Sequence, residues 1–140
     1  MAFLFDTNVV SASRRPERQH MEFRACLDGI DSQASFLSAI TIMELRFGAQ
    51  LERHRNPIFA DDLEKWINEV VLVGYADRIL PFDTMIALRT GTLPTPNKRP
   101  SSDAMIAATA LHHGLIVVTR NISDFEPLGV PCLNPWTFQG

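Results

Sequence analysis

The sequence predicts an α/β fold built on a mostly parallel sheet, and three observations predict it. Short runs that are apolar on both faces recur along the chain, as in parallel strands covered by helices. Longer segments with apolar residues at helical spacing lie between them. The chain has 140 residues, 46% hydrophobic and 21% charged, which suits one domain over residues 1–140 with a sizeable core and excludes a disordered chain.

The strands are expected at Phe3–Phe5, Phe36–Ala39, Ile79–Phe82, Leu115–Thr119 and, more weakly, Val130–Leu133. The helices are expected at Glu17–Asp28, Thr41–Gln50, Phe59–Val71, Asp83–Leu93 and Ser101–His113. Leu63, Trp66, Ile67 and Val70 form an apolar stripe along the third helix, and Gly114 is a suitable residue to end the last one. Pro94, Pro96 and Pro100 stiffen the loop before that last helix. Cys26 and Cys132 show no disulfide or zinc spacing, and the four histidines form no His-x-x-x-His pair. The first residues, MAFLFDTNVV, lack a basic leader region, and no run approaches the roughly 18 apolar residues of a membrane span, so a cytoplasmic protein is expected.

In open parallel sheets ligands bind beyond the carboxyl ends of the strands. Asp6 follows the first apolar run, Glu44 lies just after the second, and Asp124 follows the fourth. Asp103 opens the helix preceding the fourth run, and an antiparallel packing of that helix starts it where the strand ends. Each acid has a structural role available: Asp6 as a helix cap, Glu44 in a capping box with Thr41, Asp103 as a favourable charge at a helix start, Asp124 as a solvated loop acid. Taken together, four carboxylates at one sheet edge repel unless a cation binds. Hard divalent ions such as Mg²⁺ or Mn²⁺ match oxygen donors, and one or two of them can activate water for phosphodiester hydrolysis.

These residues, in this order, resemble the PIN-domain family, in particular its VapC-like and plasmid-stability toxin ribonucleases. The matching segments are Leu4-Phe5-Asp6-Thr7-Asn8-Val9, Ser38 to Leu45 with Gly48, Ile79 to Asp83, Ser102 to Ala110, Val118 to Phe125 and Leu133-Asn134-Pro135-Trp136. The resemblance implies an α/β/α sandwich with about five strands. It implies that Asp6, Glu44 and Asp103 are the three acidic site residues, with Asp124 the more variable fourth. Asn8, Thr119 and Asn121 match supporting polar positions. It further implies Mg²⁺- or Mn²⁺-dependent endonucleolytic cleavage of RNA, a homodimer within a toxin–antitoxin assembly, and neutralisation by a small DNA-binding antitoxin.

The net charge of −3 excludes a protein that grips nucleic acid by bulk positive charge. Two divalent ions at the acidic edge would offset all of it. Arg14, Arg15, Lys98, Arg99 and Arg120 fall near that edge in sequence and are candidate contacts to RNA phosphates or to an antitoxin, as are, less distinctively, Arg18 and Arg46. Two other readings compete. Asp6-Thr7-Asn8-Val9-Val10 partly matches the nucleophile loop of haloacid-dehalogenase-like phosphohydrolases, although Asn8 replaces their second acid. The chain could also be a PIN-like binding module without turnover.

Overall fold

Strands form where both faces of the backbone can be covered, and five segments meet that condition. They are β1 (Phe3–Phe5), β2 (Ser35–Ser38), β3 (Ile79–Leu80), β4 (Ile116–Val118) and β5 (Cys132–Leu133). The computed structural model describes residues 1–95 and 99–138. Every strand pair in it is parallel, and the order across the sheet is β3-β2-β1-β4-β5. The chain thus builds outward from β1 in one direction and then returns to build on its other side. The join between β1 and β4 is the switch point where such sheets open a crevice.

Successive strand residues serve opposite faces, as the pleat requires. Leu4 and Val117 enter a core with Ala104, Ala107, Phe125 and Leu128, whereas Phe5 and Val118 enter a second core with Val9, Phe23, Leu45 and Ile67. On the first face lies α7 (Ser102–His113), whose run of alanines lets it sit close to the sheet. On the second lie α1 (Thr7–Ser13), α2 (Met21–Asp28) and the buried residues Leu45 and Ala49 of α3 (Ala39–Arg53). Helix α4 (Pro57–Trp66) packs against α3. The remaining helices are α5 (Leu72–Gly74), α6 (Thr84–Thr90) and α8 (Ile122–Phe125). The expected α/β/α layering and five-stranded sheet are therefore present.

Several element bounds differ from expectation for local reasons. The first expected helix begins at Met21 rather than Glu17, because Pro16–Arg18 forms a separate tight turn and His20 is extended. Helix α3 starts directly from β2 at Ala39, two residues before the expected start. The Ser38 hydroxyl caps it by accepting the Ile40 N–H at 3.0 Å, so Thr41 and Glu44 are not a capping box. After α4 the chain makes a π turn over Ile67–Val71. The wider turn changes the helical phase, so Ile67 and Val71 are buried while Val70 is 57% exposed and leaves the expected stripe. Gly114 ends α7 with φ of 66°, a left-handed conformation that a side chain would strain.

Candidate functional site

The switch point collects polar side chains that the surrounding sheet leaves no apolar use for. Asp6 follows β1 and extends it by one bond, its N–H donating to the Val118 carbonyl at 2.9 Å. Thr119 follows β4 and does the same toward Leu133, also at 2.9 Å. The two residues are thus fixed side by side by sheet backbone. Asp6 is 4% exposed and Thr119 fully buried. The Thr119 hydroxyl donates to Asp6 Oδ2 at 2.8 Å, and the Thr7 N–H donates to Asp6 Oδ1 at 2.8 Å. Asn8 Nδ2 donates to Asp6 Oδ2 at 3.2 Å. The Asn121 N–H then donates to Thr119 Oγ1 at 3.0 Å, which turns the threonine proton toward Asp6. Asn121 supports the site through its backbone.

Glu44 lies one turn into α3 and faces the same place. The Thr7 hydroxyl donates to Glu44 Oε1 at 2.6 Å, with the buried Thr41 hydroxyl 3.2 Å from the Thr7 oxygen. Thr7 therefore ties α1 to α3 and orients the glutamate. Its role was not foreseen in the sequence, although its place between Asp6 and Asn8 was a signal. Asp103 stands in the first turn of α7. Ser101 performs the capping there, accepting the Ala104 N–H at 3.1 Å, and leaves the Asp103 carboxylate unused by the helix end. Asp124 lies in α8, exposed, with Phe125 beside it fully buried as the anchor.

Electrostatics tie the four acids into one group. The Asp103 carboxyl is pushed up to about 6, first by burial and then by the charges of Asp6, Asp124 and Glu44. Burial also raises Asp6; the Thr119 and Thr7 hydrogen bonds oppose this, while Glu44 and Asp124 add to it. Among the described residues no lysine or arginine pairs with any of the four; the arginine ion pairs there involve Glu52, Asp61, Glu64 and Asp77. An uncompensated group of carboxylates, with hydroxyls and amides orienting individual oxygens, fits a hard divalent cation. Among the described residues no three His, Cys, Asp or Glu side chains are gathered closely enough to ligate one ion together.

The candidate cations divide. Arg120 is next to Thr119, and its N–H donates to Asn8 Oδ1 at 3.3 Å. Arg99 lines a cavity of about 610 Å³ together with Asp103 and Asp124. Arg14 stacks on Phe59, its guanidinium carbon 5.3 Å from the ring centre, and lines a groove that also includes Thr7 and Glu44. Arg15 lies in a separate surface depression with Asp62, Lys65 and Glu69. Arg46 pairs with Glu64 at 3.6 Å, and Arg18 sits in the Pro16–Arg18 turn. Lys98 lies outside the described residues. His112 and His113 occupy the last turn of α7, at the opposite end from Asp103.

Replacing Thr119 with Val removes the buried donor to Asp6 and the acceptor for the Asn121 N–H. The variant is expected to lose about 1–3 kcal/mol in urea unfolding. The Asp6 carboxyl should titrate at higher pH by NMR in metal-free protein, because a hydrogen bond favouring its charged form is gone. An unmoved Asp6 titration would remove Thr119 from this role.

Comparison with known proteins gives a consistent answer. Residues 3–126 match the family model described as the PIN domain. The chain is 39% identical to VapC ribonuclease Y4jK of Sinorhizobium fredii over 143 aligned positions, covering 95% of this chain and 96% of that protein. Among solved structures, FitAcB from Neisseria gonorrhoeae superposes with a TM-score of 0.84 at 35% identity, covering 97% of this chain and 99% of that one. A toxin–antitoxin complex from Klebsiella pneumoniae superposes with a TM-score of 0.62 at 29% identity, over 96% of this chain and 98% of that one. A buried aspartate at the β1/β4 switch point, three further acids around it and this match over most of the chain lead to one conclusion: the protein belongs to the PIN-domain family.

Proposed function

We propose that the chain, acting as one PIN-like domain over residues 1–140, is a toxin-type endoribonuclease that hydrolyses RNA phosphodiester bonds. The observation that carries this reading is the uncompensated acidic group centred on Asp6, with the Asp103 carboxyl pushed up to about 6 by burial and its acidic neighbours. The ribonuclease relative and the toxin–antitoxin complex among the neighbours support the substrate class and a regulating partner. That partner is a small DNA-binding antitoxin. The exposed stripe Met43, Phe47 and Leu51 on α3, three apolar residues four apart, supports a homodimer. We read the enzyme as cytoplasmic, where its RNA substrates are; no helix among the described residues is long and apolar enough to cross a membrane.

Asp6 and Asp103 would hold one or two Mg²⁺ or Mn²⁺ ions, with Glu44 and Asp124 completing the acidic shell. Such an ion, when bound, lowers the pKa of a water nucleophile and offsets negative charge on the phosphate. The protein's own part is orientation. Thr119, Thr7 and Asn8 fix both Asp6 oxygens, so the carboxylate need not reorganise during the reaction. Thr7 occupies one Glu44 oxygen and leaves the other for water or substrate. Asp124 is exposed, so its carboxylate is open to solvent.

Use of Asp6 as a phosphohydrolase nucleophile is disfavoured, since Asn8 stands where such enzymes carry their second acid and the family match points elsewhere. The complete set of four acids argues against a module without turnover. The test is incubation of a mixed RNA pool with purified protein in Mg²⁺, Mn²⁺ or EDTA. Cleavage is expected with either ion, to stop in EDTA and to return when ion is restored. Undiminished cleavage in EDTA would refute the metal dependence.

A further inference from the structure

The residue after Thr119 is held at three points. Its backbone N–H donates to Asn8 Oδ1 at 3.3 Å, and its carbonyl accepts from Asn134 Nδ2 at 3.5 Å. Its guanidinium lies over the Trp136 ring, 5.0 Å from the ring centre. The indole is itself immobilised. It packs on the fully buried Phe23 with ring centres 4.6 Å apart, and its Nε1–H donates to Gln19 Oε1 at 3.1 Å. The Trp136 N–H donates to Asn134 Oδ1 at 2.9 Å, so one asparagine connects the tryptophan to the Arg120 backbone.

This is an unusual amount of fixation for an exposed arginine. Among the described residues no carboxylate pairs with it, whereas Arg46, Arg53, Arg55 and Arg78 all have acidic neighbours. An arginine stacked on an indole keeps its planar edge available for a bidentate contact and has already lost much of its side-chain freedom. Its backbone is one hydrogen bond from Asn8, and Asn8 is one from Asp6.

We infer that Arg120 binds an RNA phosphate beside the one that is cut, and that Trp136 is a positioning residue that presents it. The inference rests on the ribonuclease reading for its substrate and adds to it a strand path that crosses the acids toward the C-terminal segment. A fixed cation at the rim of an acidic centre holds the strand by its backbone, without reading sequence. An acidic protein partner is the other class of ligand for this arginine. The RNA is favoured because the Arg120 backbone is hydrogen-bonded to Asn8, and Asn8 to the central acid Asp6.

Fluorescence anisotropy with a labelled single-stranded RNA, across a salt series, tests this separately from cleavage. Arg120→Ala should weaken binding on the order of tenfold and reduce the slope of log affinity against log salt by about 0.7, the loss of one phosphate contact. Trp136→Leu should weaken it by about twofold to fivefold, and Trp136→Phe, which keeps an aromatic face, by less. In the Arg120→Ala background, Trp136→Leu should have no further effect, which a purely structural role would not produce. In cleavage assays the cost should fall on KM, with kcat within about twofold of wild type. An unchanged salt slope in Arg120→Ala would overturn the phosphate contact. Additive effects of the two substitutions would overturn the positioning role. Wild-type binding with the expected slope but no cleavage would instead count against the ribonuclease reading.

Discussion

Replacing Asp103 with Asn should abolish RNA cleavage and also make the metal-free protein harder to unfold at neutral pH. The two effects share one cause. The Asp103 carboxyl is pushed up to about 6 in the folded protein, from an ordinary value of 3.8, by burial and by Asp6, Asp124 and Glu44. Between those values the folded chain holds a proton that the unfolded chain has released. Stability from this group is therefore present at low pH and lost as pH rises through the window from about 4 to 6. At pH 7 the ionised Asp103 is a standing cost to the metal-free fold. Asn has the same shape and no charge, so the variant escapes that cost, and its melting temperature in EDTA should exceed wild type by roughly a few degrees. Added Mn²⁺ should reverse the order, because an ion that binds the folded state stabilises the protein able to hold it. Cleavage should fall by more than about a hundredfold, beyond the usual effect of losing a residue that only supports a metal ligand. Melting curves in EDTA and in Mn²⁺ between pH 4 and 8 check the first part. An Asn variant less stable than wild type in EDTA at pH 7 would contradict it.

Phe125→Ala should be the most damaging single change in the core around the site. Phe125 is fully buried in the cluster with Leu4, Ala104, Ala107 and Val117. Truncation leaves a void of most of a phenyl ring in a close-packed cluster, which the surrounding side chains fill only in part. Truncation is expected to cost about 3–5 kcal/mol, a large part of the roughly 5–15 kcal/mol that holds a domain folded. The effect reaches the chemistry because Phe125 pins the four-residue helix that bears Asp124. Phe125→Leu, which leaves a smaller void, should keep most of the stability and of the activity. Urea unfolding measures the difference, and a cost below about 1 kcal/mol for the alanine would show that the cluster rearranges freely.

Much of this architecture is legible in the sequence, for identifiable reasons. Strands buried on both faces announce themselves as apolar runs, and β1 to β5 lie within a residue or two of those runs. The acids stand out because they end runs that are otherwise apolar, and the parallel sheet brings those ends to one edge. Short elements that follow a strand without a loop are harder to read. Helix α1 begins at Thr7 straight after Asp6 and contains Val9 and Val10, residues that fit a strand equally well. Helix α3 begins at Ala39 inside a continuous apolar stretch, so only the Ser38 hydroxyl marks the boundary. The π turn after Trp66 moves Val70 to the surface, a phase change that a 3.6-residue period cannot anticipate. In the site, the carboxylates were evident, but the groups that aim them were less so. Thr7 reaches Asp6 through its N–H and Glu44 through its hydroxyl, Ser101 caps α7 by one hydrogen bond, and Trp136 offers one ring face to Arg120; the fold alone brings Glu44 to Thr7 and Arg120 to Trp136.

On the proposed reading the acidic edge would orient water against an RNA phosphodiester, and a divalent ion held there would supply its activation. Chemical analysis of the product ends tests it most directly. A water nucleophile leaves a plain phosphate monoester on one product end and a hydroxyl on the other, whereas attack by the neighbouring ribose 2′-hydroxyl leaves a 2′,3′-cyclic phosphate. Monoester ends are expected from wild type in Mg²⁺ or Mn²⁺, and none from Asp6→Asn. Cyclic phosphate ends, or monoester ends produced equally by Asp6→Asn, would contradict it.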